Sequence, residues 1–345
     1  MAALPDFDDH EQVVFCSEES AGLRAVIALH DTRLGPAIGG CRMWAYADET
    51  AAVVDALRLS RAMTYKAAMA GLDLGGGKSV IMGNPRRAKT PELLQAMGRA
   101  VNRLCGRYIT SEDVGTSVAD MSEIRKATRY VVGLSETEGG SGDPSATTAE
   151  GTVIGIRAAV GHAFATTDLR DARIAVQGLG DVGWHVADSL ARQGAELIVS
   201  DTIPERIERA VVEFRASVAE PGRIYDEPMD VFVPCALGGI IDDSTVNRLK
   251  ARVIAGAANN QCARDCHAQA LQDRGILFAP DYIINAAGLI RVDSERRGFD
   301  PEWVEQKVRS IGKTLKQVFL AAEQWNVSTL EAAQRLALKR LTSHK

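Results

Sequence analysis

Short runs rich in β-branched and aromatic residues alternate along this chain with longer segments whose apolar positions recur every three or four residues. Those two periods separate strand from helix. "QVVFC" (12–16) and "LRAVIALH" (23–30) read as sheet, and residues 50–68, "TAAVVDALRLSRAMTYKAA", as an apolar helix. "SVIMG" (79–83) is a short strand, and 91–105 is a helix opened by Pro91 at its first turn. "RYIT" (107–110) is a strand, Thr116 caps the helix that follows, and "YVVG" (130–133) is a last short strand. The Gly-, Ser- and acid-rich stretch "SETEGGSGDPSATT" (135–148) marks a domain boundary, giving a first domain over 1–143 and a second over 144–330.

Beyond the boundary the alternation is cleaner. A helix over 147–163 leads to the strand "RIAVQ" (173–177), a helix from about 182, and the strand "ELIVS" (196–200). A helix over 204–216, the strand "DVFVPCA", a helix over 243–250, the strand "RVIAGAA", a helix over 263–273 and the strand "GILFAP" follow. Strands separated by helices predict an α/β fold with a parallel sheet covered on both faces. The tail, 301–345, reads as two helices, the second opened by the capping box "STLE" at 328–331; part of it is expected to return to the first domain.

Composition narrows the class. Of 345 residues, 46% are hydrophobic and 25% charged, the balance of an ordinary globular protein with chain enough for two cores. The net charge of −5 comes with no basic stripe, which argues against a nucleic-acid partner. The opening "MAALPDFDDH", with its three aspartates, does not resemble a targeting segment, and no apolar run has membrane-spanning length. No membrane partner and a cytoplasmic home are therefore expected. Six scattered cysteines are too sparse for a disulfide scaffold. Cys262, Cys266 and His267 form a C-x3-C-H cluster, but no second ligand pair has zinc spacing, so free thiols on a helix are expected and no metal.

Two glycine clusters carry the candidate chemistry. In "RIAVQGLGDVGWHVADSLARQGAELIVSD" (173–201), Gly178, Gly180 and Gly183 form G-x-G-x-x-G after a strand and at the mouth of a helix, and the next strand ends in Asp201. This is the dinucleotide fingerprint in its proper context. Gly178 permits the tight turn, Gly180 lets backbone approach a pyrophosphate, and Gly183 lets helix pack on strand. Asp201 would accept hydrogen bonds from the ribose hydroxyls and favour NAD, although Arg206 lies nearby. A nicotinamide cofactor implies hydride transfer.

The other cluster, "GLDLGGGKSV" (71–80), nearly spells a phosphate loop, but the required first glycine is Leu72 and the glycines precede the strand 79–83. Small residues around Lys78 point instead to a buried amine. Lys66, twelve residues earlier, is a candidate second cation that would lower its pKa and fit it for proton transfer. Asp113, in "TSEDVGTSVADM" (110–121), follows a strand end, where α/β active sites gather.

Together with "LGPAIGGCRMW" (34–44), "DVFVPCALGG" (230–239), "VIAGAANNQ" (253–261) and "APDYIINAAGLI" (279–290), these segments resemble, nearly end to end, the Glu/Leu/Phe/Val dehydrogenase superfamily of amino acid dehydrogenases. The likeness is closest to the leucine, valine, phenylalanine and tryptophan branch. It implies an amino-terminal substrate and dimerisation domain, a carboxy-terminal Rossmann domain, a cleft between them, and a homo-oligomer. It also implies reversible oxidative deamination of an L-amino acid by NAD to a 2-oxo acid and ammonium.

By the same resemblance, Lys66 binds the substrate carboxylate, Lys78 activates water, and Asp113 shuttles protons. Gly40 and Met63 line the substrate, and Asn260 holds the amino group. Asn285 lies near the nicotinamide, while Thr148, Ala236 and Ala257, with Asp181 and Val182 of the fingerprint, contact the cofactor. Glutamate dehydrogenases carry a lysine where this chain has Ile38; with Ser111, Ala286 and Leu289 it implies an apolar pocket unsuited to a second carboxylate. Ser111 and Ala287 depart from the usual alanine and glycine and alter pocket size. Glutamate dehydrogenase activity and a non-catalytic NAD-binding regulator are the alternatives.

Overall fold

The computed structural model describes residues 4–343 and divides the chain into two units. Unit 1 comprises 1–143, 291–300 and 337–345; unit 2 comprises 144–290 and 301–336.

Unit 1 opens with β1 (Gln12–Glu18), β2 (Leu23–Asp31) and β3 (Ala37–Trp44). Then come α1 (Glu49–Met69), β4 (Gly75–Met82), α2 (Pro91–Asn102), β5 (Tyr108–Glu112) and α3 (Val118–Arg125). The sheet order is β1-β2-β4-β3-β5, antiparallel in its first three strands and parallel among β4, β3 and β5. Val26, Ala28 and Val80 pack one face against Ala52, Val53, Ala56 and Leu57 of α1. Cys41, Met43 and Tyr108 pack the other against α2 and α3 through Met97, Val101 and Ile124. Pro91 does open α2, with Thr90 as its cap.

Several sequence expectations change here. β3 is a central strand that the sequence reading did not predict, because Gly39 and Gly40 erase its alternation. β4 starts at Gly75, so the glycines lie within the strand rather than before it. The cap of α3 is Ser117, in a capping box with Asp120, because the Thr116 hydroxyl is taken by the Cys41 and Asp113 carbonyls. Residues 130–133 form no strand, only a single bridge from Val131 to Thr110.

Unit 2 holds α4 (Ser145–Phe164), β6 (Arg173–Gln177), α5 (Asp181–Arg192), β7 (Glu196–Ser200), α6 (Pro204–Phe214) and β8 (Ser217–Val218). β9 (Val231–Pro234), β10 (Val253–Ile254), α7 (Asp265–Asp273), β11 (Leu277–Phe278) and α8 (Asp281–Ile284) follow. α9 (Ala287–Glu295) starts here and ends in unit 1. α10 (Pro301–Trp325) belongs wholly to unit 2, and α11 (Thr329–Thr342) again runs from unit 2 into unit 1.

The sheet is all parallel, in the order β11-β10-β9-β6-β7-β8. The chain leaves β6 towards β7 on one side and later returns to β9 on the other. That reversal beside β6 is where doubly wound sheets open a crevice for ligands. Residues 243–248 are successive turns and not the expected helix, since the Asp242 carboxylate captures the Ser244 and Thr245 N–H groups locally. β10 and β11 are shorter than their apolar runs, and α8 and α9 replace what the glycine and asparagine content disguised. Among the described residues no helix is long and apolar enough to cross a membrane.

Candidate active site

The glycine run of β4 makes room for the protein itself. A side chain at Gly76 would meet the Thr64 backbone nitrogen at 2.2 Å and the Ser60 carbonyl at 2.3 Å, so α1 lies flush against the strand. At Gly77 it would meet the Tyr108 ring at 2.7 Å on the opposite face. Alternation then places Lys78 on the Gly76 face and Ser79 on the Tyr108 face. Ser79 is fully buried; the Tyr108 hydroxyl donates to it at 3.1 Å and to the Gly39 carbonyl at 2.7 Å. Ser79, next to Lys78 in the sequence, is thus part of the core.

Lys78 is 5% exposed and its Nζ lies 2.6 Å from Oδ2 of Asp113. Asp113 follows β5 in a turn fixed by Thr116: the Asp113 N–H donates to the Thr116 hydroxyl at 2.9 Å, and the Thr116 N–H donates to the Asp113 carbonyl at 2.9 Å. Gly40 is the floor beneath it, since a side chain there would come within 2.6 Å of the Asp113 Cβ. Arg42, two residues along β3, donates from Nε to Asp113 Oδ2 at 2.9 Å and from Nη1 to Asp55 Oδ2 at 2.9 Å. Tyr46 donates its hydroxyl to the same Asp55 oxygen at 2.7 Å.

Burial is the main influence on Lys78 and pushes its ammonium below the usual lysine range; Asp113 opposes this and Arg42 adds to it. For Asp113 burial pulls upward, but Lys78 and Arg42 outweigh it and hold the carboxyl below the usual range. Burial, expected from the small residues around Lys78, thus comes first, and Arg42 is a cation that adds to it. A buried amine held below the usual lysine range, touching a carboxyl held below its own usual range, is equipped for general acid–base work.

The other expected substrate residues divide between the units. Ile38 is fully buried on β3, paired with Gly76 and Ile109, and Ser111 is paired with Gly40 one row along. Met63 and Lys66 are half-buried in the last turns of α1, next to the Thr64 that faces Gly76. Asn260 and Leu289 belong to unit 2. Asn260 is exposed, with φ 51°, and its carbonyl accepts the Gly239 N–H; Leu289 is buried on α9 together with Ala286 before it.

In unit 2, Gly178 (φ 93°) turns the chain out of β6 so tightly that a side chain would strike Ala236 at 2.7 Å. One at Gly183 would strike the Gly178 carbonyl at 2.0 Å. At Gly180 the space is open, with only the Arg206 guanidinium at 4.0 Å. Gly180 is the N-cap of α5 and provides no side chain to its first turn, where exposed Asp181 and half-buried Val182 sit. That uncapped, unobstructed helix start fits a dinucleotide pyrophosphate. Asp201 accepts the Leu179 N–H at 2.6 Å and the Ile203 N–H at 2.9 Å, with Arg206 at 3.7 Å, so it also pins the turn it was expected to serve.

Asn285 donates to the Ala257 carbonyl at 3.0 Å and to Asn259 at 2.7 Å, while Thr148 stands on α4 facing Gly288. His267 uses both ring nitrogens, one on the Arg264 N–H and one on Asp243; Cys266 lies on α7 and Cys262 just before it.

The comparisons with known proteins decide the family. A profile described as Glu/Leu/Phe/Val dehydrogenase, dimerisation domain, matches residues 10–130, and one described as Glutamate/Leucine/Phenylalanine/Valine dehydrogenase matches 139–203 and 202–345. The chain belongs to the Glu/Leu/Phe/Val dehydrogenase family. This amino acid dehydrogenase, an oxidoreductase, is 49% identical to a leucine dehydrogenase of Bacillus cereus, over 98% of this chain and 92% of that one. It is 47% identical to a phenylalanine dehydrogenase of Caldalkalibacillus thermarum, over 96% and 91%. The crystal structure of L-tryptophan dehydrogenase from Nostoc punctiforme matches the dehydrogenase fold with a TM-score of 0.86, at 44% identity and 97% of both chains.

Arg42 and Asp55 are the site residues that sequence reasoning missed. The only signal was Arg42's place in "GGCRMW", two residues beyond Gly40.

Proposed function

We propose that this dehydrogenase catalyses the reversible NAD-dependent oxidative deamination of an L-amino acid with an apolar, branched-chain or aromatic side chain, giving the 2-oxo acid and ammonium. The observation that carries this reading is the buried Lys78–Asp113 pair at 2.6 Å, on the sheet face that also carries Ile38. When bound, NAD would supply an acceptor for the hydride of the substrate α-carbon.

The chain's own residues handle charge and protons. Lys66 binds the substrate carboxylate. Asp113, ionised, takes a proton from the substrate ammonium. Lys78, once neutral, takes a proton from the attacking water and returns it later. Ile38 and Leu289 present no group able to compensate a second carboxylate, which disfavours glutamate. Met63, Gly40, Ser111 and Asn260 complete the substrate side. On the cofactor side, Gly178, Gly180, Asp181, Val182 and Gly183 take the pyrophosphate, with Thr148, Ala236, Ala257 and Asn285 towards the nicotinamide. Asp201, an acidic side chain beside the turn, disfavours a 2′-phosphate and hence NADP. The match of residues 10–130 to a dimerisation domain supports a homo-oligomer, and six free cysteines suit a reducing cytoplasm.

A panel of 2-oxo acids with ammonium and either NADH or NADPH tests reaction, substrate and cofactor together. Turnover of 4-methyl-2-oxopentanoate or phenylpyruvate well above 2-oxoglutarate, with NADH preferred, is expected; 2-oxoglutarate as best substrate would overturn the apolar reading. Lys78→Ala is expected to lower turnover by about 10²–10⁴-fold with NADH binding intact.

A further inference from the structure

Arg42 has no part in the assignments above, yet its guanidinium is held at both ends beside the Lys78–Asp113 pair. Its guanidinium bridges two carboxylates from different elements, Asp113 after β5 and Asp55 on α1, each at 2.9 Å. The side chains of Arg42 and Asp55 are 21% and 13% exposed, so this is not a loose surface pair. Asp55 is fixed in turn by the Tyr46 hydroxyl and, at 3.1 Å on its other oxygen, by Arg58. A planar guanidinium held at both ends fixes direction as well as charge, which a flexible ammonium does not.

The charges around the site balance in an informative way. With Lys78 protonated, three cations (Lys78, Arg42, Arg58) face two carboxylates (Asp55, Asp113). With Lys78 neutral, two face two. Tyr46 is held neutral by burial and by its bond to Asp55, and Glu112 on β5 is pushed by burial, and by Asp143 and Asp113, towards its protonated form. The cluster is therefore balanced in the state in which Lys78 can act as a base. Without Arg42, Lys78 would be the sole counter-ion of Asp113 and would be held in its charged form.

We propose that Arg42, braced by Asp55, is a positioning residue of the reaction: it orients the Asp113 carboxylate and neutralises it, so that Lys78 is released from duty as its counter-ion. This rests on Lys78 and Asp113 being the proton carriers.

The experiment is Arg42→Gln and Arg42→Lys in the full chain, read by kcat, KM and the pH profile of oxidative deamination. A second readout is the pH dependence of Lys78 acylation by acetic anhydride, followed by peptide mass spectrometry, which requires no turnover. Arg42→Gln is expected to lower kcat by about 100-fold with KM for the amino acid nearly unchanged. It should also displace both the rate profile and the Lys78 labelling profile to alkaline pH by about one unit. Arg42→Lys, which keeps the charge and loses the fork, should keep the wild-type profiles and still lose kcat.

Unmoved profiles in Arg42→Gln overturn the inference while wild-type turnover leaves the proposed function standing. Absence of turnover by the wild type overturns the proposed function, and the labelling profile then decides the effect of Arg42 on Lys78. If Arg42→Gln does not fold, judged by NADH binding and circular dichroism, Arg42→Lys decides: reduced kcat with wild-type profiles supports the inference, and wild-type kcat overturns it.

Discussion

The two glycine runs are alike on paper and opposite in space. Gly75, Gly76 and Gly77 omit side chains because protein atoms already occupy the places: the Asp31 carbonyl, the backbone of α1 and the Tyr108 ring. Gly180 omits one where nothing stands but the edge of Arg206. The first run positions a side chain, Lys78, by drawing helix and strand together; the second leaves an opening for a ligand. A glycine motif becomes informative only when one knows what fills the missing Cβ.

That contrast can be broken by substitution. The largest expected effect is Gly76→Ala, whose new methyl meets the α1 backbone and must displace the helix; a loss of about 3 kcal/mol in urea unfolding is expected. Nearly as large is an acid effect on the same wall. Thr64, which fills the space opposite Gly76, is bonded at 2.9 Å to His30, whose burial, with help from neighbouring His10, lowers its pKa to about 4. The folded state therefore keeps His30 neutral. Stability should fall as pH drops from about 6.5 to 4, by roughly 3 kcal/mol, and level off below. His30→Gln should flatten that slope in unfolding curves taken across the window; an unchanged slope would assign it elsewhere.

On the opposite face, Tyr108→Phe leaves Ser79 and the Gly39 carbonyl without the phenol and should cost about 1–2 kcal/mol. The smallest effect sharpens the comparison most. Gly180→Ala should leave stability within about 0.5 kcal/mol of wild type and weaken NADH binding. Equal destabilisation by Gly76→Ala and Gly180→Ala would erase the distinction.

What could be read from the chain was whatever is local. The dinucleotide turn, its strands and Asp201 lie within residues 173–201, so their order alone carries the geometry. The Lys78 site is assembled from distant pieces. Gly39 is glycine because the Gly77 carbonyl lies 1.8 Å from where its Cβ would be, and Gly40 because Asp113 does the same from across the sheet. Neither reason is visible within β3, so the strand was not predicted. Arg42 has partners 13 and 71 residues away, and its place two residues beyond Gly40 tells nothing of them. Thr116 and Ser117 are adjacent hydroxyls with equal claim to a cap, and only the bond from Thr116 to the Cys41 carbonyl separates them. Lys78 and Asp113 were individually legible; the 2.6 Å between them was not.

The last helix has a consequence for how the protein is made. Ala337 and Leu341 of α11 are buried against Leu34 and Ala68, and Arg340 donates to the Ala68 carbonyl at 2.6 Å, covering the end of the helix that carries Lys66. The ribosome delivers that arginine 272 residues after the carbonyl it covers. Unit 1 begins before unit 2 and is completed after it, so during synthesis the cover over the end of the Lys66 helix arrives only once unit 2 has been translated.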